Sequence, residues 1–278
     1  MSPIAPDGPF PDGPFSVRSG AHPGVAVLTL HGTADGNAMG ARVWSGLPEL
    51  VAALAGDAAV RAVVVHGSGD CFSTGLDLRW YLTHYRRMTR DGDGLRSRLL
   101  TEAGQMQAAL SAIAGSRLPF IAAVHGECIG AGLDLAVACD IRFAAADAVF
   151  SVREVSIGVV ADLGSLQRLP RLIGAGPARE LALTGRDMSA AEARERGLVS
   201  TVLPTGGQAL EHACAVAARI SAYPPQVIAG IKEVLAQSEE VPLSAGLRYA
   251  GLWNSAFMPT PEFGELLADA MRRASGGR

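Results

Sequence analysis

The sequence predicts an α/β protein in which short buried strands alternate with helices and a helical tail follows. Brief β-branched runs closed by glycine recur through the first two thirds of the chain, with helical stretches between them. After Leu203 nearly everything reads as helix. Strands alternating with helices bury their apolar faces as a sheet with helices packed outside it. No second core is marked off, so the 278 residues read as one large domain with a helical tail.

The elements follow in order. The pentapeptide PDGPF stands twice in tandem, at Pro6–Phe10 and Pro11–Phe15. Proline and glycine at that density support neither helix nor central strand, so residues 1–20 are expected to be a disordered arm. Residues 21–205 are expected to form the core, and 206–278 a helical C-terminal subdomain for assembly. Val25–Leu30 (VAVLTL) reads as a strand, followed by a helical stretch from about Asn37 to Ala55. Arg61–Gly67 is a second, fully buried strand. A long helical region, interrupted at Asp91-Gly92-Asp93-Gly94, runs towards Pro119. Phe120–Gly126 is a third buried strand, and a glycine-rich turn leads into a helix from about Ala131 to Cys139. Ile141–Ala146 and Ala148–Val152 read as further short strands. Tail helices are expected at Gly207–Ala222, Pro225–Gln237, Leu243–Phe257 and Pro261–Arg273, with prolines suited to first-turn positions.

Composition narrows the function classes. The chain is 49% hydrophobic, 18% charged and carries a formal net charge of −3, which gives no basic platform for nucleic acid. No apolar stretch is long enough for a membrane span, and the first thirty residues hold neither a basic leader nor an apolar core. A cytoplasmic protein without membrane partner is therefore expected. Lys232 is the only lysine among 24 basic residues, a bias that points to GC-rich codons and a bacterial source. Cys71, Cys128, Cys139 and Cys214 lack C-x-x-C spacing and read as reduced thiols, so no metal site is expected.

Three segments join glycine to acids beside apolar runs: Cys71–Leu78 (CFSTGLDL), His125–Ile141 (HGECIGAGLDLAVACDI) and Val149–Pro170. Gly75 and the run Gly130-Ala131-Gly132 expose backbone N–H groups where loops enter helices, a setting that favours an anion. Two such loops could converge on one oxygen; tight helix–strand packing explains the same spacing, and the two readings stay open. A dinucleotide fingerprint fails because Leu135 stands where glycine or alanine is needed. Asp134 lies in the first turn of an otherwise apolar helix, Glu154 follows Val152-Arg153, and Asp162 follows the apolar stretch 157–161. Singly, Asp134 is explained by the helix dipole and Asp162 as a helix cap. Together, three acids flanking glycine-rich turns point to proton transfer. Asp77 reads as supporting its own turn, His125 as a packing histidine, and Arg79 as part of a solvated helix face or a phosphate contact. No G-x-S-x-G elbow occurs, which disfavours Ser68 or Ser165 as a nucleophile.

From Val25 to the C-terminus these segments resemble the crotonase (enoyl-CoA hydratase/isomerase) superfamily. Gly130–Gly174, with the turn Ala161-Asp162-Leu163-Gly164, is most similar to its Δ3,5-Δ2,4-dienoyl-CoA isomerase branch. The resemblance implies a crotonase-like ββα spiral with a C-terminal helical trimerisation subdomain, assembled as a homotrimer or hexamer. It implies a thioester enolate held by the N–H groups of Leu76 and Ala131, with Gly75, Asp77, Gly130 and Arg79 around the substrate. Glu154 would take a proton from C2, Asp162 would give one at C6, and Asp134 would pair with Glu154. One of the acids is expected to hold a proton near neutral pH, the state the donor needs. No cofactor is implied beyond the coenzyme A of the substrate. The segment His31–Gly40 lacks the basic residue usual there, which leaves Arg79, or Arg272 and Arg273 of a neighbouring subunit, for the CoA phosphates. An enoyl-CoA hydratase is the alternative activity, and a non-catalytic acyl-CoA or RNA-binding member of the fold a remoter one.

Overall fold

A computed structural model describes residues 13–90 and 94–275. In chain order the elements are β1 (Phe15–Ser19), β2 (Val25–Leu30), α1 (Ala41–Gly56), β3 (Ala62–Gly67), α2 (Leu78–Arg90), α3 (Leu95–Ala114), β4 (Phe120–Val124), β5 (Glu127–Ile129), α4 (Ala131–Ala138), β6 (Ile141–Ala145) and β7 (Val149–Ser151). A 3-10 turn (Glu154–Ile157) precedes α5 (Ser165–Ile173), α6 (Ala175–Thr184), β8 (Met188–Ser189), α7 (Ala190–Glu195) and β9 (Thr201–Leu203). The chain then continues as α8 (Gly206–Ser221), α9 (Pro225–Ser238), α10 (Leu243–Phe257) and α11 (Phe263–Ser275).

Among the described residues, one sheet runs β1-β2-β3-β4-β6-β9 and is parallel throughout except for the antiparallel β1–β2 pair. A smaller sheet runs β5-β7-β8. The two sheets arise from one repeated turn of chain. β4 enters the large sheet, β5 the small one, and α4 follows; β6 and β7 repeat the pattern. Earlier turns keep only traces of the second strand, as the parallel bridges Met39–Leu76 and Ser73–Cys128. This is the ββα spiral, and it starts α1, α2 and α4 each just after a small-sheet position.

Strand periodicity divides the core. Val63, Val65, Ala122 and Val124 face the large cluster under α1, α3 and α4, whereas Ala62, Val64, Ile121 and Ala123 face the opposite side. Ala213 and Ala217 of α8 close that second side, and their small side chains let the helix lie against the strands. α8, the first helix of the stretch 206–278 expected to form a helical C-terminal subdomain, thus packs onto the core sheet. Helix α9 is pinned to the sheet by the lone lysine. Lys232 Nζ donates to Leu118 O and to Asp140 Oδ2, both at 2.7 Å, and Asp140 also accepts the Phe120 N–H. Leu243, Leu247 and Leu252 of α10 and Leu267 of α11 remain exposed on the described chain.

Several expectations need correction. Residues 15–19 fall inside the stretch expected to be a disordered arm, yet they form β1, because Phe15 and Val17 alternate into the core while the backbone pairs with β2. The first PDGPF repeat lies outside the described residues. The helix expected from Asn37 begins at Ala41, since Asn37 takes φ 56°, a left-handed conformation incompatible with a continuing helix. The interruption expected at 91–94 falls partly outside the described residues; Gly94, with φ 95°, opens α3. No helix among the described residues is long and apolar enough to cross a membrane.

Candidate active site

The first loop of the site is built on Asn37. Its buried amide donates to Ser68 O (2.8 Å) and Cys71 O (2.7 Å) and accepts from Ser68 Oγ (2.8 Å), which fixes the turn leaving β3. Ser73 then bridges two segments: its hydroxyl donates to Asn37 O at 2.9 Å and accepts the Gly75 N–H at 3.1 Å. Met39 N–H donates to Gly75 O, and Asp77 N–H donates to Met39 O. Groups alternate sides along an extended backbone, so the intervening Leu76 N–H points away from Met39.

What it points towards follows from the second loop. Ser73 N–H donates to Glu127 O and Ile129 N–H to Ser73 O, which forms a parallel bridge between Ser73 and Cys128. A Cβ at Gly75, whose φ is +92°, would stand 2.5 Å from Ile129 O and 3.2 Å from Ala131 N. Only glycine lets the two loops approach this closely. Ala131 is the first residue of α4, so its N–H has no intrahelical acceptor. The Leu76 segment thus lies against the N-terminus of α4, where an unpaired backbone N–H carries partial positive charge.

The acids gather beside them. Gly130 N–H donates to Ser151 O (2.9 Å), binding the end of β7 to the start of α4. A Cβ on Gly130 would lie 3.3 Å from Glu154 Oε1, so the Glu154 carboxyl rests directly over the backbone next to Ala131. Asp134, one helical turn on, is fully buried; its Oδ1 accepts the Ser165 N–H in a short hydrogen bond. Asp162 belongs to the loop before α5, and Gln107 of α3 holds its carbonyl at 2.7 Å. Among the described residues, Asp134 Oδ2, Glu154 Oε2 and Ser165 Oγ are buried without a hydrogen-bond partner.

All three acids are pushed up. Burial comes first for Asp134, then the charge of Glu154, and its pKa reaches about 7 despite the opposing Ser165 and Arg168. Glu154 is raised by burial and then by Asp162, and Asp162 by burial. Asp134 and Glu154 are both buried carboxyls, and the proximity of the Glu154 charge adds to the burial that raises Asp134. All three carboxyls thus hold a proton more readily than a solvated acid does.

A raised carboxyl binds its proton in the folded state at pH values where the unfolded chain has lost it. Stability should therefore fall as pH rises from the ordinary aspartate range to about 7, then level off. Asp134→Asn is expected to be more stable than the wild type above neutrality, by on the order of 4 kcal/mol, and equal to it in acid. Urea unfolding at both pH values measures this; a pH-independent difference would contradict it.

The remaining predicted residues fare differently. Asp77 has both carboxylate oxygens engaged within the chain: Oδ1 accepts the Trp80 N–H (2.9 Å) and Oδ2 accepts Thr33 Oγ1 (3.2 Å). It caps the start of α2, in keeping with its reading as a support of its own turn. Arg79 is exposed on the first turn of α2. Arg272 and Arg273 sit near the end of α11, with Arg272 paired to Asp269. Beyond Tyr81, a cleft of about 770 Å³ opens between α1, α2 and α3, lined in part by Trp44, Trp80, His84, Met88, Glu102 and Met106. The Tyr81 phenol is raised by burial and then by the charges of Glu102 and Asp162, which links this cleft electrostatically to the third acid.

Asn37, Ser73 and Ser165 are supporting residues that sequence reasoning missed. Asn37 alone had a local signal, as a residue type that tolerates positive φ between two glycine-flanked turns. Ser73 and Ser165 act through partners about thirty residues or more away, which no local pattern marks.

Comparison with known proteins fits this geometry. Residues 20–255 match the family described as Enoyl-CoA hydratase/isomerase. The chain belongs to that family. Among its relatives, the peroxisomal Delta(3,5)-Delta(2,4)-dienoyl-CoA isomerase of Arabidopsis thaliana is 36% identical over 92% of this chain and 93% of its own. The mitochondrial enzyme of the same name from Homo sapiens is 39% identical over 81% of this chain and 70% of its own. Of solved structures, a putative enoyl-CoA hydratase from Streptomyces coelicolor superimposes with a TM-score of 0.85 at 30% identity, covering 98% of this chain and 97% of that one. The crotonase fold and the isomerase-branch likeness expected from the motifs are thus borne out.

Proposed function

We propose that this enoyl-CoA hydratase/isomerase family member converts 3,5-dienoyl-CoA thioesters to 2,4-dienoyl-CoA, in the breakdown of unsaturated fatty acids. The observation that carries the reading is the third acid. Asp162 lies within electrostatic reach of Glu154, on a loop held from α3 by Gln107, so proton acceptor and donor can stand over different carbons of one acyl chain. The thioester oxygen is taken by the Leu76 and Ala131 N–H groups, which acidifies C2. Glu154, seated over Gly130, accepts the C2 proton as that C–H bond breaks. The electron pair passes into the dienolate, both double bonds shift, and C6 forms its new C–H bond with a proton from Asp162. An acyl chain lying across Asp162 removes its water and pushes its carboxyl further up, which supplies the protonated donor. Asp134 keeps its place beside Glu154 and adjusts that group's basicity. Protons move and no net redox change occurs, so the reaction calls for no redox cofactor. The exposed leucines of α10 and α11 suit burial between copies of the chain, in a homotrimer or hexamer.

The test is an enoyl-CoA panel with two readouts. On 3,5-dienoyl-CoA, the absorbance of a conjugated 2,4-dienoyl thioester should appear. No such gain, together with rapid hydration of a short 2-enoyl-CoA, would replace the reading with a hydratase. One observation favours that second reading: Asp134 and Glu154 each keep a free carboxyl oxygen, and so resemble a pair that activates water.

A further inference from the structure

The start of α5 has no side-chain cap of its own, because Gly164 precedes it. Its first residue, Ser165, instead donates its N–H to Asp134 Oδ1, a carboxylate 31 residues away on α4. Asp134 therefore caps α5 from another element, and the helix it caps begins three residues after Asp162. Ser165 is 1% exposed, and its side chain also hydrogen-bonds towards the same carboxyl and favours its ionised form, although the hydroxyl is not well aligned on any partner among the described residues. A buried hydroxyl left in this way is costly unless it serves a group that changes state.

We propose that Ser165 is a positioning residue for the acid cluster. Its N–H ties the Asp162 loop to α4 through Asp134, and its hydroxyl turns to donate to the Asp134 carboxylate when that group ionises. This deepens the isomerase reading and rests on it for its kinetic consequence alone. The charged and titratable groups facing Asp134 come from three elements: Glu154 from the 3-10 turn, Arg168 from α5, and the Cys128 thiol from β5. Glu154 disfavours the ionised state and Arg168 favours it, so Ser165 is the neutral donor whose removal leaves those two opposed.

Ser165→Ala keeps the backbone donor and removes the hydroxyl. Asp134, which titrates at about 7, should then hold its proton to a pH higher by about one unit. The expected readout is the infrared band of a protonated carboxyl, identified by its loss in Asp134→Asn and followed through the neutral range. It should persist to higher pH in Ser165→Ala and return to the wild-type midpoint in Ser165→Thr, which restores a hydroxyl. On 3,5-dienoyl-CoA near neutrality, kcat should fall about fivefold with KM within about twofold, since fewer molecules carry the Asp134 charge that strengthens Glu154 as a base. If the alanine variant does not fold, Ser165→Cys, a weaker donor of similar size, should show the same upward direction. An unchanged carboxyl midpoint in these variants overturns the proposal. A shifted midpoint in a protein that does not isomerise dienoyl-CoA overturns the isomerase reading and leaves the role of Ser165 standing.

Discussion

Asp162→Asn is expected to lower isomerisation of 3,5-dienoyl-CoA by about 10²–10⁴-fold while substrate binding changes little. The amide has the shape of the carboxylic acid but cannot release a proton to C6. The loop should keep its place, because Gln107 holds the Asp162 carbonyl, which the substitution leaves intact. Removal of the C2 proton by Glu154 should survive, so exchange of C2 hydrogen with deuterated solvent is expected to continue after isomerisation has stopped. Stopped-flow absorbance with mass analysis of recovered substrate reads both steps. Full isomerisation by the variant would remove Asp162 from the reaction. Loss of exchange as well would mean that Asp162 acts on the first proton.

Gly75→Ala should reduce kcat by about 10²–10³-fold, the scale of losing one donor to a developing oxyanion. The effect is steric. The residue has φ +92°, and its new methyl would fall 2.5 Å from Ile129 O, against backbone that cannot swing aside. Relief requires the 73–76 loop to part from the start of α4, which separates the Leu76 and Ala131 N–H groups. Strain in that backbone region also costs about 1–2 kcal/mol of stability. The loop remains anchored through Ser73 and Asn37, so the variant should still fold, which thermal unfolding checks. Activity within a few-fold of wild type would mean that the two N–H groups do not act together on one oxygen.

Much of the fold was legible along the chain. The runs at Val25–Leu30, Arg61–Gly67 and Phe120–Gly126 are β-branched or apolar stretches closed by glycine, and they became β2, β3 and β4 because burial on both faces demands such residues. The tail helices appeared near their expected bounds, with Leu243–Phe257 unchanged. β5, β8 and β9 were not legible. Each has two or three residues and exists only because a neighbour at distant register offers a partner. Helices α5 to α7 were not expected: Val149–Pro170 was read for its acids and turns, and the stretch after Gly174 carried no reading of its elements. β1 was hidden by the proline-rich repeat beside it, although Phe15 and Val17 carry the alternation.

The sequence by itself determined the inventory of the site: glycines where loops enter helices, and three acids set in apolar surroundings. Those features are local, because φ and the immediate neighbours decide them. It also carried the likeness to the dienoyl-CoA isomerases, through the turn that holds Asp162. Only the tertiary structure decided which groups meet. A bridge between Ser73 and Cys128 brings the Gly75 loop against the start of α4, and burial, which no window of sequence records, raises the Asp134 carboxyl. Asp77, two residues after Gly75, stands as a helix cap because Thr33 and the α2 backbone take both its oxygens. A carboxylate's role depends on which partners and how much water surround it, and folding alone sets both.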